Sequence, residues 1–251
     1  MKGKIKEKLR RFLSIALAAL ILAGCAGAAF ADGSDASGTL NGVNWVYTAA
    51  DKTLVLSGSG TLDASSDAFS TSAWNAEYVK IGADVDIKSG LVFNHFNFVK
   101  AFEVDADSKY LCSPDSMLMS KDQTVLLKYP SRNNEFSFYT IPDTVKTISY
   151  AAFEYAPLKT VFLNDGLETI EGFAFSNSSL LYITIPGTVT SIGQSVLAQC
   201  SSITKVTFEE GVTAIPTSAF DRCRNLETVN LPDSLTTIGL SLIHISEPTR
   251  L

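Results

Sequence analysis

From residue 141 onward one pattern of apolar and polar positions recurs. Ile141-Pro142-Asp143-Thr144-Val145-Lys146-Thr147-Ile148 is followed by equivalent octets at 163–170, 185–192, 208–215 and 231–238, whose starts lie 22, 22, 23 and 23 residues apart. A large apolar residue stands five positions beyond each of the first four terminal isoleucines: Phe153, Phe175, Leu197 and Phe220. A fixed period of this size predicts a repeat solenoid. A single unit is too small to bury its own apolar face, so Val161/Leu163, Ile183/Ile185, Val206/Phe208 and Val229/Leu231 are expected to stack into a shared core. Alternation then points the intervening residues outward. A second apolar pair, such as Val189 and Ile192, lines the turn, and the Phe or Leu after it plugs the opposite side. The result is a horseshoe-like parallel solenoid, with an unpaired strand edge at the turn near Ile238.

The repeat reads approximately L-x-x-V-x-I-P-x-x-V-T-x-I-G-x-x-A-F-x-x-C-x-x-L, and residues 180–200, from Leu180-Leu181-Tyr182-Ile183-Thr184-Ile185-Pro186 to Cys200, follow it closely. This resembles the BspA-like family of bacterial leucine-rich repeats. Residues 102–110 and 117–130 resemble the longer, hairpin-bearing turn of that family, and Val79-Lys80-Ile81 forms an earlier unit, with Ile81 lying 23 residues before Val104. Residues 42–45 and 53–60 resemble the short β module that precedes such repeats. The resemblance implies a leucine-rich-repeat horseshoe, β-rich with short helical or 3-10 turns, over 76–239, preceded by a small β module over 38–75. It also implies adhesion to host or neighbouring-cell components.

Both ends of the chain stand apart from this pattern. Lys2, Lys4, Lys6, Lys8, Arg10 and Arg11, with Glu7 the one acid among them, precede an apolar run over 12–23, which predicts a bacterial export signal. The run is shorter than the roughly 20 apolar residues that a membrane span needs. Two cleavage sites are expected to compete. Leu22-Ala23-Gly24-Cys25 resembles a lipobox that would leave a leader of 1–24 and a diacylated Cys25, and Ala29-Phe30-Ala31 would end a leader of 1–31. Two acyl chains would anchor the protein on a membrane surface. At the other end, Leu240-Ser241-Leu242-Ile243-His244-Ile245-Ser246-Glu247-Pro248-Thr249-Arg250 resembles the translated adaptor of transposon-based sequencing libraries. Ile243 falls where the repeat expects a Phe, so 240–251 reads as an artefact and the natural chain as longer.

Composition narrows the function classes. The 251 residues carry 20 basic and 26 acidic side chains, and removing the leader takes the formal charge from −6 to −11. An acidic chain of this kind lacks the basic stripe of a nucleic-acid binder, and 46% hydrophobic with 10% aromatic residues is globular rather than disordered. Catalytic material is scarce. The one histidine outside 240–251 is His95, beside Phe93, Phe96 and Phe98, which leaves no triad or multi-histidine metal site. Asp105 and Asp107 imitate the start of a calcium loop, but Tyr110 and Ser116 stand where it needs Gly and Glu. Asp84 and Asp86 read as a solvated face, and Gly58-Ser59-Gly60 as a strand turn without the helix of a phosphate loop. No catalytic residue, cofactor or metal is therefore expected. Cys200 and Cys223 hold the same repeat position. The family consensus implies stacked buried thiols, while export would permit a disulfide.

What remains is the outward face of the main sheet. Its positions are Tyr78/Lys80, Ala101/Glu103, Phe138/Thr140, Thr160/Phe162, Tyr182/Thr184, Lys205/Thr207 and Thr228/Asn230. Phe138, Phe162 and Tyr182 fall on successive turns and, with Thr184 and Lys205, form the candidate concave-face binding site, since aromatics bring large contact area at low ordering cost. Either the patch is open, or the hairpin between Lys109 and Pro130, or a missing part of the protein, covers it. Two functions follow. One is an exported surface lipoprotein or secreted protein that binds a protein or glycan on host or neighbouring cells, touching membrane only through a lipid anchor at Cys25. The other is a structural spacer for a C-terminal enzymatic or wall-attachment domain.

Overall fold

The computed structural model describes residues 35–63 and 69–240. Expectations for the export signal, for Cys25 and for 241–251 lie outside these residues.

The N-terminal strands β1 (Ala36–Leu40), β2 (Val43–Thr48) and β3 (Thr53–Gly58) form an antiparallel meander. β3 also pairs in parallel with β5 (Tyr78–Ile81), which pairs with β7 (Ala101–Val104), so the meander and the first turns share one sheet. Between them, β4 (Gly60–Leu62) pairs in parallel with β6 (Val85–Ile87) on a second side. Ile81 aligns with Val104, the 23-residue offset read from the sequence.

After β7 the chain makes the hairpin β8 (Leu111–Cys112), β9 (Leu118–Ser120) and β10 (Val125–Lys128). The repeats proper follow. The main-sheet strands are β11 (Phe138–Thr140), β13 (Thr160–Phe162), β15 (Tyr182–Ile185), β17 (Lys205–Phe208) and β19 (Thr228–Asn230). On the second side lie the two-residue strands β12 (Thr147–Ile148), β14 (Thr169–Ile170), β16 (Ser191–Ile192), β18 (Ala214–Ile215) and β20 (Thr237–Ile238). All pairings within these repeats are parallel and in register, as in Ile183 with Val206 and Ile170 with Ile192. β3, β5, β7 and the five main-sheet strands that follow thus mark eight turns of a β-rich solenoid. Its helical segments among the described residues are short 3-10 turns, such as Ala73–Asn75 and Gly90–Phe93.

The third side of each repeat is built from left-handed backbone at residues other than glycine. Ala151, Phe173, Ser195 and Ser218 have φ between 52° and 57°, and Tyr155, Asn177, Gln199 and Arg222 have φ between 56° and 61°. Such a conformation costs about 1–2 kcal/mol for an L-residue, and inter-turn hydrogen bonds offset it. The N–H groups of Ala151, Phe153 and Tyr155 donate to the carbonyls of Gly172, Ala174 and Ser176 on the next turn, at 3.1, 2.7 and 3.2 Å.

The predicted apolar positions fill the interior. Val161, Ile183, Ile185, Val206 and Phe208 are buried, and the plugs Phe153, Phe175, Leu197 and Phe220 are fully so. Tyr129, Phe153 and Phe175 stack in a column, with centroids 5.3 and 5.2 Å apart. A separate core lies under the first turns, where Trp45, Phe69, Phe96, Phe93 and Phe102 meet edge to face at 5.1–5.6 Å. The hairpin joins the two: Leu111, Leu118 and Leu127 pack into the first core, Met117, Met119 and Leu126 into the second. At this seam Gly90 sits against the Leu127 and Tyr150 carbonyl oxygens, which leave no room for a Cβ.

Three placements differ from the sequence reading. Leu231 is 50% exposed rather than inward, because β19 is the last strand of its sheet and no described turn packs over it. Asp86 is buried rather than solvated, with an oxygen 2.6 Å from Lys88 Nζ. Thr160 is buried although it lies on the outward face, for a reason that belongs to the candidate site.

Candidate functional site

Parallel pairing sets the outward side chains in two columns. Phe138 pairs with Thr160, and Tyr182 with Lys205 and then Thr228. Beside them, Thr140 pairs with Phe162, and Thr184 with Thr207 and then Asn230. The two sheets meet between β13 and β15, where the Leu181 N–H donates to the Lys159 carbonyl at 2.8 Å.

The three predicted aromatics are exposed side by side: Phe138 by 56%, Phe162 by 47% and Tyr182 by 46%. Phe138 and Phe162 touch edge to face with centroids 6.1 Å apart. These rings explain Thr160. It lies between Phe138 and Tyr182 in one column and two residues before Phe162, so the aromatics themselves cover it to 6% exposure. Its hydroxyl donates to the Tyr182 carbonyl at 3.4 Å.

Exposed Phe136 and Leu181 flank the patch and were not among the predicted positions. Phe136 precedes the repeat register, yet it shares the alternation of Phe138 and Thr140, the signal that could have found it. Leu181 follows the buried Leu180 and carries no such signal. The hairpin does not cover the patch. It pairs through β10 with β12 and so extends the second-side sheet, ordered β16-β14-β12-β10-β9-β8.

Beyond the aromatics the face turns polar. Thr184, Lys205, Thr228 and Asn230 are exposed, and the Asn230 amide donates to the Thr207 hydroxyl at 3.2 Å. Lys205 takes part in no ion pair among the described residues. The upstream end is different, since Lys80 and Glu103 lie 3.7 Å apart and neutralise each other. They border a cleft of about 430 Å³ that Ser57, Asp105, Ser113 and Ser116 also line.

The remaining candidates sit elsewhere. His95 is half-buried with its ring 4.5 Å from that of Trp74, away from the aromatic face. The Asp107 N–H donates to Asp105 Oδ1 at 2.9 Å, which closes a local turn. Among the described residues no group of three His, Cys, Asp or Glu side chains could hold a metal. Cys200 and Cys223 are free thiols in one buried ladder. Cys200 Sγ donates to the Phe175 carbonyl at 3.0 Å, and Cys223 Sγ to the Leu197 carbonyl at 3.1 Å. Ser178 occupies the same slot one turn earlier, with its hydroxyl 3.3 Å from Cys200 Sγ. Burial pushes the Cys200 thiol up to about 11 and the Cys223 thiol up to about 12. Both are therefore protonated donors at neutral pH rather than nucleophiles.

No curated protein matches the sequence. Several solved structures resemble the chain in fold. A leucine-rich repeat protein from Eubacterium ventriosum is 18% identical over 86% of this chain and 98% of its own, with a TM-score of 0.49. The pneumococcal vaccine antigen PcpA is 22% identical over 71% of this chain and 51% of its own, with a TM-score of 0.46. A leucine rich cell surface protein from Faecalibacterium prausnitzii is 20% identical over 83% of this chain and 73% of its own, with a TM-score of 0.41. The model of the BspA type leucine rich repeat region matches residues 129–246 in six copies. Those copies take in the described turns that carry the aromatic face, and over residues 129–246 the chain is a BspA type leucine rich repeat protein.

Proposed function

We propose that this chain is an exported binding protein, held at the cell surface or secreted, and that it attaches to protein or glycan on host or neighbouring cells. The observation that carries the proposal is the side-by-side exposure of Phe138, Phe162 and Tyr182 on a rigid sheet. Apolar surface presented this way gains free energy when a partner removes it from water. Turns locked by main-chain ladders lose little further entropy on binding. The face offers rings, hydroxyls, an amide and one ammonium, a set suited to holding a ligand rather than to moving protons. The basic, then apolar start of the sequence supports export, and Cys25 is the residue that would carry a lipid anchor.

The test compares the whole chain with a variant carrying Phe138→Ser, Phe162→Ser and Tyr182→Ser, measuring attachment to cultured epithelial cells and to neighbouring bacterial cells. The variant is expected to attach at least about tenfold more weakly, about 1.4 kcal/mol, while melting at the same temperature. Equal attachment of the two proteins, or no attachment by either, would overturn the proposal.

A further inference from the structure

We infer that the ligand of the aromatic face is an acidic glycan, whose carboxylate or sulfate is received by Lys205. This inference rests on the binding role proposed above. Its starting point is charge. The chain carries more acidic than basic side chains, 26 against 20. Yet the ten outward positions of β11, β13, β15, β17 and β19 include no acid, and their one charged residue is Lys205. That ammonium is exposed and has no carboxylate partner among the described residues. It stands directly beside Tyr182 in the register, so an anion placed there also reaches the aromatic patch. Glu135, Asp165 and Glu227 lie off the two columns. On the earlier strands β5 and β7 the same face carries Lys80 with Glu103, a pair already neutralised. The cationic character is thus local to the aromatic end of the sheet.

The other groups favour a sugar over an acidic peptide. Between the aromatics and Lys205 the main-chain groups are taken up by the parallel ladders, and the free edge at β19 lies beyond them, so recognition at the rings falls to side chains. Those side chains are short donors and acceptors: the hydroxyls of Thr140, Thr184 and Thr207 and the amide of Asn230. Exposed rings offer apolar faces to the C–H side of a sugar ring, and hydroxyls and amides exchange hydrogen bonds with its O–H groups. Successive strands repeat every 4.7–4.9 Å or so, which suits a polymer of repeating units laid across them.

The test measures binding of the whole chain to immobilised submaxillary mucin, to the same mucin after sialidase treatment, and to heparin. Binding to intact mucin or to heparin is expected to be at least about tenfold tighter than to desialylated mucin. Preference for mucin would identify a carboxylate, and preference for heparin a sulfate. Lys205→Gln is expected to weaken that binding about threefold or more and to flatten its salt dependence, because a screened charge contact has been removed. Equal binding to intact and desialylated mucin with none to heparin, a Lys205→Gln variant indistinguishable from the parent, or full competition by poly-glutamate but not by free glycan would overturn the inference. If the triple aromatic variant still loses cell attachment while no acidic glycan binds, the binding role stands and the glycan assignment falls. If that variant attaches to cells as the parent does, both fall.

Discussion

Phe175→Ala is expected to lower the stability of the chain by about 3–5 kcal/mol, the range for deleting a fully buried phenylalanine. Phe175 has no exposed surface and stacks on Phe153 at 5.2 Å with an interplanar angle of 14°. Its N–H donates to the Val196 carbonyl and its carbonyl accepts from Cys200 Sγ, so the side chain plugs a turn tied to the one after it. Solenoid stability is close to a sum of repeat and nearest-neighbour terms. A hole in a middle turn therefore weakens two interfaces together. The control is Phe162→Ala, the same substitution on the same turn but on the outward face, where about half the side chain is already in water. That variant should shift stability by well under 1 kcal/mol, as surface changes do. Urea titration of both variants reads the difference, and equal losses would contradict the assignment of inward and outward faces.

The second expectation concerns Lys128, a lysine only 2% exposed at the end of β10, where the hairpin rejoins the repeats. Its Nζ donates to the Ala151 carbonyl at 2.7 Å. Desolvation holds its pKa down to about 8 against an ordinary 10.5, with the charge of nearby Glu154 opposing part of the shift. A depressed lysine pKa means that the unfolded chain binds more protons than the folded one between pH 8 and 10.5, so this residue makes stability rise with pH across that window. Cys200 and Cys223 act in the opposite sense. Their folded pKa values lie above the unfolded value of 9.0, so their contribution is lost as the pH climbs past 9. Comparing the parent with Lys128→Met cancels the thiol contribution. Between pH 7 and 9.5 the parent should gain about 2 kcal/mol relative to the variant, at 1.36 kcal/mol per pKa unit. A difference that does not change with pH would show that the ammonium is hydrated and the seam open.

The repeat period carried most of this architecture. It gave the core positions because a strand side chain in a parallel stack has the same neighbours on every turn, so Ile183, Val206 and their equivalents had one place to go. It also gave the outward aromatics, by alternation. Conformations that leave no mark on residue type were illegible. Ala151, Phe173, Ser195 and Ser218 adopt left-handed backbone with no glycine to announce it, because inter-turn hydrogen bonds rather than local preference select the conformation. Thr160 followed the alternation rule and was still buried, since exposure depends on the size of neighbours in adjacent strands as well as on direction. The seam was hidden for a similar reason. Gly90 lies far in sequence from the Tyr150 carbonyl it meets, and although Lys128 stands one 23-residue period before Ala151, the repeat gives no sign that an ammonium is buried there.

Hydroxyl-radical footprinting of the free, whole chain tests the central claim most directly, because it reads side-chain exposure one residue at a time. Phe138, Phe162 and Tyr182 should oxidise rapidly, and Phe153, Phe175 and Phe220, residues of like chemistry at the plug positions, should stay protected until the chain unfolds. Protection of the first three to the level of the second three would mean that the aromatic face is covered, and would contradict its role as the binding surface.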